Sequence, residues 1–197
     1  MLEFWNKRYA EEEFVYGKEP NEFLRLQLEE LPKGKIIFPC DGEGRNAVFS
    51  ANLGWAVEAF DFSPSAKKKA EALAKAENVE INYEISDIYD KEYQEESADV
   101  VALIYAHFPK ELRKVAHQKA VQWLKPGGRI ILEAFNTEQI NNSSGGPKNI
   151  EMLYTKEMLA EDFKELHLVK LETIKTNLSE GDYHRGQADV VRLIAIK

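Results

Sequence analysis

The sequence predicts an α/β protein whose central feature is a doubly wound, mostly parallel sheet, and three observations predict it. Short apolar runs alternate with helix-compatible segments along most of the 197 residues, as repeated strand–helix units do. A glycine-bearing turn, Gly42-Glu43-Gly44, separates the first apolar run from the helix after it. The last two apolar segments have no helical pattern between them, so we expect them to pair antiparallel and close the sheet.

Residues that start or stop helices define the elements of the N-terminal half. Pro32 ends an amphipathic first helix, and Gly54 is placed as the C-terminal cap of the second. Ser63 and Pro64 supply the N-cap and first-turn proline of the third. The predicted helices are 22–28, 45–53 and 64–77, and the predicted strands between them are 36–38 and 56–60.

The C-terminal half alternates in the same way. Residues 100–104 are a continuous apolar run, as expected for a central strand buried on both faces. Pro109 opens the next helix, which Lys125-Pro126-Gly127-Gly128 ends. A loop is predicted over 141–147, which is rich in Asn, Ser and Gly. The remaining strands are predicted at 81–85, 130–132, 168–176 and 189–196, and a short helix at 157–166.

Composition restricts the class of protein. The length suits one well-buried domain. A net charge of −8 argues against a broad surface for nucleic acid or an anionic membrane, and no apolar stretch approaches the roughly 20 residues of a membrane span. The single cysteine, Cys40, excludes an internal disulfide and favours a cytoplasmic location. Because the sequence has no Cys/His cluster, we predict no metal.

The turn at Gly42-Glu43-Gly44 carries the first indication of function. A strand, a tight loop and a helix N-terminus present free backbone N–H groups to an anion. Asp61 ends the second predicted strand, where its carboxylate can accept hydrogen bonds from two ribose hydroxyls. Together they indicate a nucleoside-containing ligand at the carboxyl ends of parallel strands. Two alternatives stay open: a turn that only needs a positive φ, and an Asp61 that only caps the helix at Ser63.

Four sequence segments resemble the class I S-adenosylmethionine-dependent methyltransferases over nearly the whole chain. They are Gly42-Glu43-Gly44-Arg45-Asn46, Asp61, Ser86-Asp87-Ile88, and Trp123-Leu124-Lys125-Pro126-Gly127-Gly128. The resemblance implies a Rossmann-like sheet of seven strands whose last strand is antiparallel, with S-adenosylmethionine as the cofactor.

A narrower resemblance lies at the two ends of the chain. Phe4-Trp5-Asn6-Lys7-Arg8-Tyr9, residues 14–21 and residues 180–186 are similar to small bacterial methyltransferases of the tellurite-resistance type, distant relatives of the thiopurine methyltransferases. On this reading residues 1–197 are one methyltransferase domain. Residues 1–34 are an N-terminal helical lid segment, 35–135 the cofactor-binding half, and 136–197 the substrate-side loop, helix and terminal strand pair.

The resemblance also implies roles for individual residues. The glycines admit the cofactor, the helix at Arg45 faces its methionyl carboxylate, and Asp61 holds the ribose. Phe62 packs on the adenine, whose amino edge Asp87 and Ile88 contact. The cofactor-binding candidates are Trp5, Tyr9, Tyr16, Cys40, Asp41, Gly42, Gly44, Arg45, Asn46, Asp61, Phe62, Asp87, Ile88 and Tyr105.

The chain departs from the family pattern at two positions after the first strand. Phe38 stands where most of the family has an acid, and Cys40 stands where it has a glycine. The acid is a usual partner of the methionyl ammonium, and Asp41 is our candidate to replace it. At the N-terminus, Trp5 and two tyrosines are predicted either to fold over the site as an aromatic lid or to plug the edge of the sheet.

Two histidines are candidates for catalysis. His107 follows the fourth strand, and His184 lies in the loop between the last two strands. The alternatives are that His107 caps the helix at Pro109 and that His184 is a surface residue. Methyl transfer is an in-line displacement, so a thiolate or chalcogenide acceptor needs no strong base, whereas a hydroxyl or amine acceptor usually does.

These observations predict a methyltransferase for a small-molecule acceptor, with a thiol or a chalcogen oxyanion among the acceptors considered. We expect a monomer or weak homodimer that binds neither nucleic acid nor membrane. One alternative is an NAD(P)-dependent oxidoreductase, because Gly42, Gly44 and Ala47 also fit a dinucleotide fingerprint; no Tyr-x-x-x-Lys pair supports it. Another is a non-catalytic S-adenosylmethionine-binding module, which the departures at Phe38 and Cys40 keep open.

Overall fold

A seven-stranded sheet organises the protein in the computed structural model, which describes residues 2–197. The strands are β1 (Lys35–Pro39), β2 (Ala56–Asp61), β3 (Asn82–Ile85), β4 (Ala98–Ile104), β5 (Leu124–Phe135), β6 (His167–Ser179) and β7 (Arg185–Ile196). The helices are α1 (Leu2–Tyr9), α2 (Glu22–Glu30), α3 (Arg45–Asn52), α4 (Pro64–Ala76), α5 (Lys110–Trp123) and α6 (Lys156–Asp162). The strand order is β3-β2-β1-β4-β5-β7-β6, and β7 is antiparallel to both neighbours. This confirms the predicted fold class.

Most predicted elements are confirmed, but several ends differ, such as the start of β7 at Arg185 and the end of α6 at Asp162, and α1 was not predicted. Lys125-Pro126-Gly127-Gly128 was predicted to precede a strand but lies inside β5, because Gly127 N–H donates to the Lys197 carbonyl and Lys197 N–H to the Gly128 carbonyl. The periodicity of the sequence also did not indicate α1. That helix is held by a tertiary contact, in which Asn6 Oδ1 accepts hydrogen bonds from the start of α4.

Alternation along the central strands builds a core on each face of the sheet. In β1, Ile36 and Phe38 face the layer of α2 and α3, whereas Ile37 faces the layer of α5 and α6. Trp123 and Phe163 are among the large side chains fully buried on that second face. Side chains of β4 alternate between the same two cores, with Val101 and Leu103 in one and Val100 and Ala102 in the other, so both faces are covered and residues 100–104 are apolar without interruption.

Two strand ends turn sharply at the same edge of the sheet. Cys40 follows β1 with φ 57° and Tyr105 follows β4 with φ 52°, so both occupy the left-handed region that side chains with a Cβ seldom adopt. Such conformations persist only where the surrounding structure imposes them, and they cluster at functional sites. This edge carries the site described below. Within the described residues, no helix has the length and apolarity to cross a membrane.

Candidate active site

A cavity of about 830 Å³ opens where β1, β4 and β5 end. Its floor comes from residues 40–43, 45 and 46 after β1, from Tyr105 after β4 and from Phe135 at the end of β5. Three segments roof it: α1 together with Tyr16, the loop that contains Gly145, and the β6–β7 hairpin tip that contains His184. The volume lies within the roughly 300–1,000 Å³ of typical small-molecule sites.

The cavity brings most of the predicted site residues together. Those in its wall are Trp5, Tyr9, Tyr16, Cys40, Asp41, Gly42, Arg45, Asn46, Tyr105, His107 and His184. The predicted residues outside the wall are Gly44, Asp61, Phe62, Asp87 and Ile88. The first set spans the predicted methionyl and acceptor region, and the second comprises Gly44 and the residues expected to hold ribose and adenine.

Asp61 lies just behind the cavity, where its carboxylate organises the loop after β1. Its two oxygens accept hydrogen bonds from Gly42 N–H at 3.2 Å and from Ser63 N–H at 2.9 Å. The Tyr9 side chain covers this loop, since a Cβ added at Gly42 would lie 2.8 Å from the Tyr9 hydroxyl. Burial raises the pKa of Asp61 to about 6, against the lowering effect of these hydrogen bonds.

Asp41 has a carboxylate oxygen without a partner. The carboxyl is buried, and within residues 2–197 its Oδ2 makes no hydrogen bond. Burial raises the pKa of Asp41 well above its ordinary value, although a hydrogen bond from the Ala47 backbone and the charge of Arg45 act in the opposite direction. Because Asp41 also lines the cavity, it presents acceptor capacity that a donor or a cation in the cavity can satisfy.

The aromatic residues of the N-terminal segment pack over the loop after β1 and line the cavity. The Trp5 ring stacks on Tyr9 with centroids 5.5 Å apart, and Tyr16 lies 6.4 Å from each. Asn6 fastens α1 to α4, with Asn6 Oδ1 accepting from Ser63 Oγ at 2.9 Å. These rings line the cavity rather than packing against an edge strand, β3 or β6, and their role as a lid stays a prediction.

Glu43, which the sequence analysis did not single out, holds the segment that follows α1. Its buried carboxylate accepts from the Val15 and Tyr16 backbone N–H groups at 3.2 and 3.3 Å. Lys69 of α4 balances its charge at 2.7 Å. Glu43, the middle residue of the turn, therefore connects the segment after α1 to the loop after β1.

A buried polar network supports the acceptor side of the cavity. Glu133 of β5 accepts hydrogen bonds from the Tyr105 hydroxyl at 2.8 Å and from Asn21 Nδ2 at 2.6 Å, and it pairs with Arg192 of β7. Asn21 Nδ2 also reaches Glu180 at 3.2 Å. The sequence analysis missed Asn21, Glu133 and Arg192. Glu133 carried a readable signal, because it is a lone acid in the apolar strand of residues 130–135, and buried acids are rare unless paired.

His184 is buried, so the surface alternative for this residue is wrong. Its Nδ1 lies 3.3 Å from Glu180 Oε2, and its ring packs against Tyr16 and Tyr105 with centroids 4.5 and 4.6 Å away. Arg45 also reaches Glu180 Oε2, at 2.9 Å. Burial lowers the pKa of His184, and the hydrogen bond to Glu180 partly offsets this effect. The ring is therefore neutral near neutral pH.

His107 is only partly buried, and the backbone uses both of its ring nitrogens. Nδ1 lies 2.7 Å from the Met152 carbonyl, and Nε2 accepts from the Phe135 N–H at 3.1 Å. Burial lowers the pKa of His107 to about 4. No ring nitrogen is left for a substrate proton, so the geometry does not support the catalytic prediction. The alternative is also wrong, because α5 has no side-chain cap.

A comparison with known protein families matches the part of the chain that contains the loop after β1. Residues 39–128 match a family model described as a methyltransferase domain. The protein is accordingly a methyltransferase, and the cofactor that this domain uses is S-adenosylmethionine. No curated protein is similar enough in sequence to match the chain.

Solved structures share the fold over most of the chain. One was determined in work on the conversion of a disulfide bond into a thioacetal group during echinomycin biosynthesis (TM-score 0.79, 15% identity, 100% of this chain and 90% of that chain). TehB from Haemophilus influenzae has a TM-score of 0.73 at 17% identity, and all of this chain spans 66% of TehB. The N-methyltransferase NodS from Bradyrhizobium japonicum WM9 has a TM-score of 0.68 at 15% identity, with 89% and 92% coverage. At these identities the likeness shows the fold alone.

Proposed function

We propose that this protein transfers the methyl group of S-adenosylmethionine to a small molecule that binds in the cavity. The observation that carries the proposal is the cavity itself, which has about 830 Å³ under three roof segments and begins at the glycine loop after β1. A roofed space of this size suits a small acceptor beside the methionyl arm of the cofactor. A macromolecular acceptor would instead require an open platform.

The residues of the glycine loop fit the methionyl end of the cofactor. The unpaired Asp41 Oδ2 is placed to accept the ammonium group, and the cofactor carboxylate can face the N-terminus of α3, where Gly44 offers no side-chain cap. Phe38, which stands where most of the family has the acid, packs its side chain into the core on the α2 and α3 face. Burial raises the pKa of the Cys40 thiol, so Cys40 stays protonated and does not compete as a nucleophile.

The ribose and adenine roles are part of the same proposal. Asp61 is oriented by Gly42 and Ser63, and Phe62, Asp87 and Ile88 follow the ends of β2 and β3. Because Tyr9 covers Gly42, we infer that α1 shifts when the adenosyl group enters. That movement would change the contacts that Asn6 makes with Ser63 and Ser65.

Methyl transfer requires little covalent chemistry from the protein's own side chains. When bound, the cofactor supplies a methyl carbon already activated by a sulfonium. The chain's own contribution is to orient the acceptor and exclude water, and orientation alone can supply roughly 7–11 kcal/mol of the barrier. Tyr16, Tyr105 and Phe135 present aromatic rings to the cavity, which favour a neighbouring positive charge. His184 is the residue of the wall that we propose as catalytic.

The acceptor class and the cellular setting are the finer parts of the proposal. The resemblance to the tellurite-resistance type has a fold-level counterpart in the TehB structure, so thiols and chalcogen oxyanions belong in any acceptor screen. A cytoplasmic, monomeric or weakly dimeric protein stays our prediction from composition. A nicotinamide cofactor lacks support, because the matching family model describes a methyltransferase domain.

Calorimetric titration with S-adenosylhomocysteine tests the cofactor site. We expect Asp41→Asn to weaken binding about 10- to 100-fold, since losing a hydrogen bond to a charged group costs about 1.5–3 kcal/mol. Asp182→Asn is the matched control, because Asp182 also lines the cavity but is exposed; it should bind within about two-fold of wild type. Tighter binding of NADH than of S-adenosylhomocysteine would end the proposal.

An acceptor screen tests the transfer itself. Thiols, selenite, tellurite and phenols are incubated with S-adenosylmethionine, and the mass of the product is the readout. Methylation of any one of them that is lost in Asp41→Asn supports the proposal. If the protein binds S-adenosylhomocysteine but methylates none of them, the non-catalytic binding module becomes the better interpretation.

A further inference from the structure

Glu180 occupies a position from which it can control the state of His184. It is ionised, because the charge of Arg45 and the hydrogen bonds from His184 and Arg45 overcome its burial and lower its pKa to about 2. An ionised carboxylate only accepts hydrogen bonds. The nitrogen that faces it, His184 Nδ1 at 3.3 Å, must therefore carry the ring proton when the imidazole is neutral.

This arrangement leaves the lone pair of the neutral ring on Nε2. Within residues 2–197 Nε2 makes no hydrogen bond, and His184 lines the cavity. Gly145 lies against the same edge of the ring, since a Cβ there would be 2.6 Å from His184 Cδ2 and 3.1 Å from Nε2. His107 contrasts with this, because both of its nitrogens are taken by the backbone.

Glu180 is itself held from the cofactor side. Arg45, the first residue of α3, donates to Glu180 Oε2 at 2.9 Å and to the Glu19 carbonyl at 3.1 Å. Asn21 donates to Glu180 Oε1. The helix that begins at the glycine loop thus fixes the carboxylate, and the carboxylate fixes the histidine. The titratable and charged groups around His184 are Tyr16, Arg45, Tyr105, His107, Glu133 and Glu180.

We propose that Glu180 is a positioning residue that makes His184 a general base, and that the acceptor is therefore a small molecule that enters with a weakly acidic O–H or S–H group. This rests on the proposed function. A pre-ionised soft anion needs no base, so a buried acid–histidine pair aimed at the cavity is built for an acceptor that must lose a proton. Phenols and thiols fit this class better than chalcogen oxyanions.

The proposed step balances in protons and electrons. The acceptor atom uses its lone pair to form a bond to the methyl carbon, and the sulfur–methyl bond breaks with its electron pair remaining on sulfur. The acceptor proton passes to His184 Nε2. Positive charge is thereby lost at sulfur and gained on the imidazole, where the neighbouring Glu180 carboxylate stabilises it, until the ring returns the proton to solvent.

Nitrogen-15 NMR of His184 tests the positioning role without any acceptor. Wild type should show a neutral ring protonated at Nδ1. In Glu180→Gln the titration midpoint of His184 should fall, because the carboxylate that stabilises the charged ring is gone. Glu172→Gln, on the exposed face of β6, is the matched control and should leave the midpoint unchanged. A ring protonated at Nε2 in wild type, or a midpoint unmoved in Glu180→Gln, overturns the inference.

Methyl transfer to thiophenols of graded acidity supplies the second readout. Glu180→Gln should lower kcat about 10- to 100-fold for the weakly acidic members and leave the most acidic, pre-ionised members within about two-fold. S-adenosylhomocysteine binding should stay within two-fold, which separates this effect from a failed cofactor site. Glu180→Gln should add nothing in a His184→Gln background. An equal loss across the series, or additive losses, contradicts the proposal. Methylation of selenite or tellurite with no thiol or phenol methylated contradicts the acceptor class, whereas methylation of no acceptor at all means that the proposed function fails.

Discussion

The two walls of the cavity treat their carboxylates in opposite ways. On the cofactor side, Asp41 and Asp61 have no cationic partner in contact among residues 2–197, and burial raises the pKa of both. On the acceptor side, Glu133 is buried and Glu180 is partly buried, and Arg192 and Arg45 pair with them. The carboxyl groups on one side therefore lack a stabilising cation and are harder to ionise, whereas arginines already balance those on the other side.

The difference separates groups that await a ligand from groups that position others. Burying an acid without a partner lowers the stability of the folded protein. A bound cation can offset that loss. A paired buried acid is rigid and can hold a neighbour in one orientation, as Glu180 holds His184. The contrast yields stability predictions, because neutralising an acid should have opposite effects on the two walls.

The largest effect is expected on the acceptor side, at Glu133. Glu133→Gln removes the charge opposite Arg192 and weakens the acceptor for Asn21 and Tyr105. Removing one partner of a buried ion pair costs about 3–5 kcal/mol, and urea unfolding should show a loss of that order. Glu172→Gln breaks an exposed pair with Lys170 and should change stability by less than about 1 kcal/mol. Similar losses in both variants would show that the network is not a stabilising unit.

On the cofactor side, neutralising Asp61 should have the opposite sign. Its pKa is raised by burial from 3.8 to about 6, so the folded protein binds this proton more tightly than the unfolded chain. Its contribution to stability is therefore full below the ordinary pKa and is lost as pH rises through about 6. Between about pH 4 and pH 7, Asp61→Asn should gain up to about 3 kcal/mol relative to wild type.

Urea unfolding of both proteins across that pH range measures the Asp61 effect. Asp99→Asn is the control, because hydrogen bonds from Lys125 and Lys35 outweigh burial and lower the pKa of Asp99. Its stability difference from wild type should stay constant above about pH 4, where Asp99 is ionised in both states. A pH-independent difference for Asp61→Asn would show that Asp61 is not held in a destabilised charged form.

The sequence predicted the cofactor wall far better than the acceptor wall, for a physical reason. Residues 40–46 are one continuous stretch between a strand and a helix, so their spacing alone indicates the loop. The network behind the acceptor side joins Asn21, Glu133, Glu180 and Arg192, which are up to 171 positions apart along the chain and meet because β5, β6 and β7 are neighbours and the start of α2 packs beside them. No local sequence pattern predicts contacts among residues so far apart along the chain.

The secondary structure shows the same contrast between elements set by local signals and elements set by tertiary contacts. Strand and helix positions followed from periodicity and caps to within a few residues, because those signals are local. The start of β5 and the helix α1 did not, because Lys197 and the first turn of α4 determine them. His184 was found as a candidate, but its burial depends on packing against Tyr16 and Tyr105, which sequence spacing does not show.

The smallest effect expected tests how tightly the cofactor wall is built. Gly44 has φ 86° and touches α4: a Cβ there would lie 2.5 Å from Ala70 Cβ and 2.8 Å from its Cα. Gly54 has a similar φ of 91° but open space around it. Both alanine variants carry the same backbone strain, so only Gly44→Ala adds the steric clash, which should cost about 1–3 kcal/mol more. Urea unfolding of the two variants gives the difference directly. Equal stability losses would mean that α4 can move away from the loop, in which case the spacing of the cofactor wall depends on the turn alone and not on the helix behind it.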